Sequence, residues 1–359
     1  MSDNHQKTAG FMRSLCMGDI EEDIIIPFPK IKDSEKEVLK SVAQSLESWL
    51  KDRDGDFRKF DRQGEFPKEF LDEMKQFGLF SFVIPEEFGG MGLGSTGYSR
   101  ALQEVSRYDL AMAVTVGAHS SIGMRGLLLF GTDAQKKKYY PKLATGEMIA
   151  AFCLTEPGAG SDAASIKTRA VREGNDWVIN GNKLWITNGG IAGFLTVFAK
   201  TGGPDEKHIT AFIVESNTPG VTFGPHEDKM GLRASSTTTV HFDSVRVPAE
   251  NLLGEVNKGF KVAMRILNSG RTGLGGGSVG AMKRLIGLSA KQAKERQGRT
   301  GSAAVSFRSF SRFAPVSASR CGSASSTPRS RRSAFFPRTG RTPSTRHASR
   351  ASFSRSTRT

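Results

Sequence analysis

"AAFCLTEPGAGSDAAS" (residues 150–165) and "NGNKLWITNGG" (residues 180–190) are the stretches on which the fold of this 359-residue chain turns. In the first, an apolar strand delivers Thr155 to its end, and Pro157, Gly158 and Gly160 then build a loop whose backbone can approach a ligand closely. Ser161 and Asp162 follow, able to donate to or cap whatever sits there. In the second, period-two alternation places Trp185 and Thr187 on one face of a strand and Leu184 and Ile186 on the other. A large flat ring beside a hydroxyl, near a glycine-bearing polar loop, suits a planar, phosphate-bearing cofactor. The same residues also read as two strands ending in surface turns, and spacing alone leaves both readings open.

Outward from these motifs the signals change character twice. Upstream, from Ser34 to about Gly146, apolar residues recur at helical spacing, as in "EKEVLKSVAQSLESWLKDR" and "DAQKKKYYPKLATG". From Met148 to Val247 short β-branched and aromatic runs alternate with Gly, Pro and Asn turns, which predicts strands. Within them Asn180-Gly181 predicts a two-residue hairpin, because both central residues of that turn take positive φ. After Pro248 helical spacing returns in "NKGFKVAMRILNSGR" and "GAMKRLIGLSAKQAKER". Five glycines between Gly273 and Gly280 interrupt it, each costing a helix about 1 kcal/mol relative to Ala. The expected organisation is an arm (1–32), a helical domain (33–147), a β-barrel or sandwich domain (148–247), the start of a helical bundle (248–297) and a low-complexity basic tail (298–359).

The net charge of +15 invites a nucleic-acid reading, but it is unevenly placed. Residues 301–359 hold 12 of the 51 Lys and Arg and no acidic residue, leaving 39 basic against 36 acidic side chains in the rest. No nucleic-acid footprint therefore covers the body of the chain. Cys16, Cys153 and Cys321 have neither disulfide nor zinc spacing. The amino terminus has no apolar h-region and is not Arg-rich, so the sequence reads as cytoplasmic, or as mitochondrial matrix if the chain is a processed form. Leu110 to Phe130 is interrupted by His119, Ser120, Ser121 and Arg125, and reads as buried helix, not as a membrane span.

Several literal motif matches carry no chemistry. "GLGSTG" (92–97) satisfies G-x-G-x-x-G but lacks the strand, turn and second strand of a dinucleotide site. "GGSVG" (276–280) satisfies G-x-S-x-G, yet it lies in a helical region, which argues against Ser278 as a nucleophile. The histidines show no metal-ligand spacing, and His119, in an apolar helix, reads as a hydrogen-bonded core residue.

"FCLTEPGAGSD" with "NGNKLWITNGG", and "KMGLRASSTTTVHFDSVRVPAENLLGEVNKGFKVAM" downstream, resembles the acyl-CoA dehydrogenase flavoproteins. "GLFSFVIPEEFGGMGL" and "GAHSSIG" look most like the very-long-chain branch, and the likeness runs from about Gly18 to Arg296. The resemblance implies a helical domain, a central β-domain and a four-helix bundle with FAD between the last two. It implies that Phe152, Cys153, Leu154, Thr155 and Ser161 line the flavin, with Thr155 on its pyrimidine edge. Ser161 would reach toward phosphates and the acyl-CoA. Trp185, Ile186 and Thr187 would cover the isoalloxazine, and Asn268 and Arg271 would meet substrate. Arg296 would reach the FAD of a neighbouring subunit in a homodimer or homotetramer. The reaction implied is α,β-desaturation of an acyl-CoA, with electron-transfer flavoprotein as acceptor and no metal.

That chemistry needs a glutamate over the substrate's α-carbon. In the family it comes from the far end of the bundle, whereas here Glu295 is the last acidic residue. Glu104 and Glu156 belong to other motifs, so no catalytic base is assigned and the chain is expected to be inactive or weakly active. A catalytically silent FAD or acyl-CoA binding protein, or an assembly partner, is the alternative. Residues 301–359 contain no Leu, Ile, Met, Lys, Asp, Glu, Asn, Gln, Tyr or Trp, a set from which no buried helical stripe can be built. An Arg/Ser-rich RNA arm, a tail without special function and out-of-frame translation compete to explain it. The last accounts best for a change of usage in mid-helix, inside the half-present motif "ERQGR".

Overall fold

The computed structural model describes residues 16–18, 26, 31–203 and 208–296. Most of the arm expected at 1–32 and the whole tail expected at 298–359 lie outside the described residues, and the out-of-frame reading lies there too. Helices come first: α1 Asp33–Leu50, α2 Asp54–Gln63 and α3 Lys68–Gln76 turn their apolar stripes onto one another. The stripes meet in an aromatic cluster in which Phe57, Phe60 and Phe66 surround Phe70 at centroid separations of 5.1–5.8 Å. Next come α4 Ser95–Ser106 and α5 Leu110–Gly117, the latter started by Asp109, whose carboxylate accepts from Met112 N at 2.6 Å. A π-helical segment, Ala118–Gly123, and α6 Arg125–Phe130 follow, so the apolar stretch from Leu110 to Phe130 is three short, partly buried pieces. Finally α7, Asp133–Thr145, opens on a Thr132/Gln135 capping box. No helix among the described residues is long and apolar enough to cross a membrane.

The expected β-region forms one seven-stranded sheet: β1 Ile149–Cys153, β2 Arg169–Glu173, β3 Asp176–Thr187, β4 Ala192–Lys200, β5 Ile209–Glu215, β6 Val221–Phe223 and β7 Thr237–Pro248. Its order is β1-β4-β2-β3-β7-β6, with β5 on β4. Both faces of β4 are covered. Phe194 and Phe198 join the core shared with the helices, while Leu195, Val197 and Ala199 join a second core with Phe212 and Trp177. The near-continuous apolar reading of "FLTVFAK" follows from that double burial.

Asn180-Gly181 makes no hairpin. Both residues sit inside the twelve-residue β3, which pairs with β7 along its length, and the register slips by one between Ile179 and Gly181. A Cβ at Gly181 would lie 2.4 Å from Thr168 Oγ1, so glycine is required by close approach at a bulge. The two-residue turn is instead Gly174-Asn175, where Glu173 pairs with Asp176 and Gly174 has φ 62°. The residues after Gly181 find their partner in β7, sixty residues on, and a local turn signal cannot foresee that.

The last described element, α8, runs unbroken from Gly259 to Glu295 through all five glycines. Their reason is α4. Cβ atoms at Gly273, Gly276 and Gly280 would lie 2.6 Å from the Tyr98 ring, 2.2 Å from Ser99 O and 2.0 Å from Gln103 O. The i, i+3, i+7 spacing makes one glycine groove along which the two backbones nest, and Ser106 Oγ donates to Gly277 O at 2.7 Å across it.

Candidate functional site

Between α4, α5, the π-helical segment and α8 lies an apolar cavity of about 300 Å3. Leu102, Val114, Ile122 and Leu267 wall it, Thr187 closes the end nearest the sheet, and Arg271 stands at its edge. The absence of side chains at Gly117, Gly270 and Gly277, which also line it, is what keeps it open. None of the described residues lining it is a carboxylate.

Thr187 reaches this cavity because β3 distorts before it. Lys183 pairs with Val240 and Ile186 with Thr238, so three steps of β3 face two of β7 and one residue is extra. Trp185 takes up the excess at φ 59°, left-handed for a bulky residue, with its side chain 55% exposed. The expected alternation is therefore corrected here. Ile186 is 1% exposed and in the core, whereas Trp185 and Thr187 are brought outward by the bulge and not by a regular pleat. Strain of this kind persists where surroundings over-determine it, and it gathers at functional sites.

The loop after β1 lies alongside. Glu156 and Ala159 exchange both backbone hydrogen bonds and so close a tight Pro157-Gly158 turn, and no atom comes within 4 Å of a Cβ built on Gly158 or Gly160. The exposed backbone of Gly158 and Gly160, exposed Ser161 and the half-exposed indole of Trp185 give an open polar cradle beside a flat ring. This is the donor set that a planar, phosphate-bearing cofactor such as FAD requires, and the residues present fit it. Thr155 is half-buried and its carbonyl accepts from Leu184 N at 2.9 Å, joining loop to bulge. Phe152 packs against Phe198 with the rings tilted by 57° at a centroid separation of 5.0 Å. The side chains of Cys153 and Leu154 are 0% and 5% exposed, so only their backbone can serve a ligand. Asn268 is exposed on α8 and its side-chain oxygen accepts from Arg271, beside the cavity. Arg296 caps the far end of α8, about 38 Å along the helix from Arg271, and does not join this group.

Two residues at the site were not legible in the sequence. Lys183 is fully buried and donates to Glu156 Oε1 at 2.7 Å and to Leu154 O at 3.2 Å. Burial works to raise the Glu156 carboxyl, but the Lys183 charge with hydrogen bonds from Lys183, Thr168 and Lys167 holds it below its ordinary range. Asn188, left-handed at φ 65° and fully buried, donates to Thr115 O at 3.0 Å and to Ala150 O at 3.2 Å, tying α5 to β1 beside Thr187. A lysine amid "LWI" and an asparagine before two glycines were the available signals.

The discounted motifs behave as bystanders. Among the described residues no strand precedes Gly92, and Ser278 Oγ donates back to Leu274 O at 3.0 Å within α8. His119 is fully buried and its Nδ1 accepts from Ala150 N at 3.0 Å, a core residue that docks the π-helical segment on β1. No cluster of three His, Cys, Asp or Glu residues suited to a metal occurs among the described residues.

Because the left-handed cost of about 1–2 kcal/mol at Trp185 disappears with glycine, Trp185→Gly is expected to leave the flavin-free chain within about 1 kcal/mol of the parent in chemical denaturation. A larger loss would show that the indole is held by packing.

Comparison with known proteins gives three profile matches: acyl-CoA dehydrogenase N-terminal domain over residues 32–147, middle domain over 151–245 and C-terminal domain over 257–313. The last carries the likeness beyond Arg296, where the sequence reading ends it. The chain is 47% identical over 289 residues to the very long-chain specific acyl-CoA dehydrogenase, mitochondrial, of Macaca fascicularis, which covers 78% of this chain and 44% of that protein. It thus spans less than half the length of that relative. The butyryl-CoA dehydrogenase of Megasphaera elsdenii superposes with TM-score 0.72 at 36% identity, over 79% of this chain and 74% of that one. An acyl-CoA dehydrogenase complexed with FAD from Bacillus anthracis superposes with TM-score 0.67 at 40% identity, over 76% and 46%.

Proposed function

Since the chain belongs to the acyl-CoA dehydrogenase family, we propose that it binds FAD across Thr155–Ser161 and Trp185–Thr187 and an acyl-CoA in the cavity beside α8, without completing the dehydrogenation. The observation that carries this reading is the cavity itself, which runs to Thr187 at the flavin motif and has no carboxylate among its described lining residues.

FAD, when bound, supplies the hydride acceptor for the β-carbon of a thioester. The chain's own residues orient and enclose. Thr155 and the open backbone of Gly158 and Gly160 hold the polar edge and phosphates, Ser161 lies within reach of both ligands, and Trp185 covers the ring. Ile186 contributes its backbone, with Phe152, Cys153 and Leu154 forming the floor. Leu102, Val114 and Leu267 exclude water from the acyl chain, and Arg271 with Asn268 stands at the edge. Arg296, at the far end of α8, serves the FAD of a second subunit in a dimer or tetramer, and electron-transfer flavoprotein is the acceptor when the base is present.

The missing function is proton abstraction. Residues 297–359 contain no acidic side chain, and Glu104 is engaged with Arg107, while Glu156 is buried beneath the loop. A positioned general base contributes about 10²–10⁴ in rate, so the full chain loaded with FAD is expected to bleach its flavin at least that much more slowly than a complete family enzyme when given an acyl-CoA anaerobically. Rapid bleaching of the visible flavin absorption, at about the rate of a complete enzyme, would overturn the proposal. The alternative role as an assembly partner predicts FAD retention with no bleaching over any period, and the same experiment separates the two.

A further inference from the structure

The bulge of β3 and the loop after β1 meet through more than the contact of two surfaces. Where β3 leaves the β7 ladder, its polar groups transfer to the loop. Leu184 N donates to Thr155 O at 2.9 Å, and the Lys183 ammonium donates to Leu154 O at 3.2 Å and to Glu156 at 2.7 Å. Glu156 in turn collects the backbone N–H groups of Lys167 and Thr168, the segment leading into β2. One carboxylate and one ammonium, at 6% and 0% exposure, thus join three chain segments at the point where two motifs distant in sequence touch.

A pair of buried charges is an expensive way to fill a core, since apolar residues of similar volume often serve stability as well or better. What the ion pair supplies that apolar side chains cannot is direction. It satisfies Leu154 O and two N–H groups that would otherwise be orphaned, and it fixes which residue of β3 is the extra one. Had the bulge slipped by one residue toward Lys183, the ammonium would leave Glu156 and Trp185 would return to the pleat.

We infer that Lys183 is a positioning residue which, through Glu156, locks the Leu184-Trp185 bulge onto the Thr155–Ser161 loop, so that both halves of the flavin site are assembled before the cofactor arrives. The inference rests on the FAD reading for the purpose it serves, but the lock itself belongs to the flavin-free chain. Its test is amide hydrogen exchange of the full chain without flavin, followed by FAD titration. In Lys183→Met with Glu156→Gln, which leaves no uncompensated buried charge, the segments 154–161 and 182–187 are expected to exchange at least tenfold faster together, with β4 and β5 unchanged. Protection of both segments as in the parent overturns the lock, and so does equal acceleration throughout β4 and β5, the mark of a merely structural role. FAD is expected to bind at least tenfold more weakly to the double variant than to the parent, and equal affinity overturns the role in positioning. A parent that takes up no FAD tells against the cofactor reading, and the exchange result then decides the lock alone.

Discussion

Gly280→Ala is expected to destabilise the full chain by about 1–3 kcal/mol, although alanine is the better helix former by about 1 kcal/mol. The added methyl would stand 2.0 Å from Gln103 O and 2.1 Å from Ser106 Oγ. Gln103 O is backbone of α4 and has no rotamer by which to withdraw, so the helices themselves must separate. Gly276→Ala, at 2.2 Å from Ser99 O, is expected to act in the same sense. Gly275 supplies the control: it lies between the same neighbours in sequence, yet nothing stands within 4 Å of its Cβ position. Gly275→Ala should therefore follow propensity and stabilise by up to about 1 kcal/mol. Chemical denaturation of the three variants decides the matter, and a Gly280→Ala chain as stable as Gly275→Ala would mean that α4 and α8 do not approach this closely. Since the cavity lies between these helices, the destabilised variants should also lose affinity for an acyl-CoA, whereas Gly275→Ala should not.

Acid should reveal His119. Burial pushes its imidazole down to about 3 from an ordinary 6.5, so between those values the unfolded chain binds a proton that the folded chain does not. The contribution of the neutral ring to stability is complete above about pH 6.5 and is lost as pH falls toward 3. The rate of loss is about 1.4 kcal/mol per pH unit. His119→Asn keeps an acceptor for Ala150 N and removes the titration. At pH 7 the parent should be the more stable, for the volume it fills. From pH 6.5 to 4.5 its advantage over the Asn variant should shrink by about 2–3 kcal/mol. Asp109 acts in the opposite sense, its carboxyl raised to about 6 by burial, but it is common to both chains and cancels in the difference. Parallel stability profiles for the two chains over this range would show that His119 does not remain neutral in the folded protein.

The two experiments probe the same junction. His119 docks the π-helical segment on β1, Asn188 ties α5 to β1, and the glycine groove seats α8 against α4. Together they hold a helical wall, a sheet end and a long helix around one cavity, with Thr187 where all three come close.

What the sequence determined by itself is the succession of helices, strands and helix, because apolar periodicity is set residue by residue and needs no partner to be read. Its motifs also carry the family resemblance, and the profile matches place the chain in that family, while the flavin-binding role of Thr155–Ser161 and Trp185–Thr187 is the proposal that rests on it. Only the tertiary structure decided the rest, and in each instance the reason is a partner distant in the chain. Asn180-Gly181 looks like a turn until β7 is beside it, the glycines of α8 look like flaws until α4 fills their groove, and Lys183 looks like a misplaced charge until Glu156 lies against it. Turn chemistry, helix propensity and hydropathy are local quantities. Close approach of two backbones and pairing of buried charge are not.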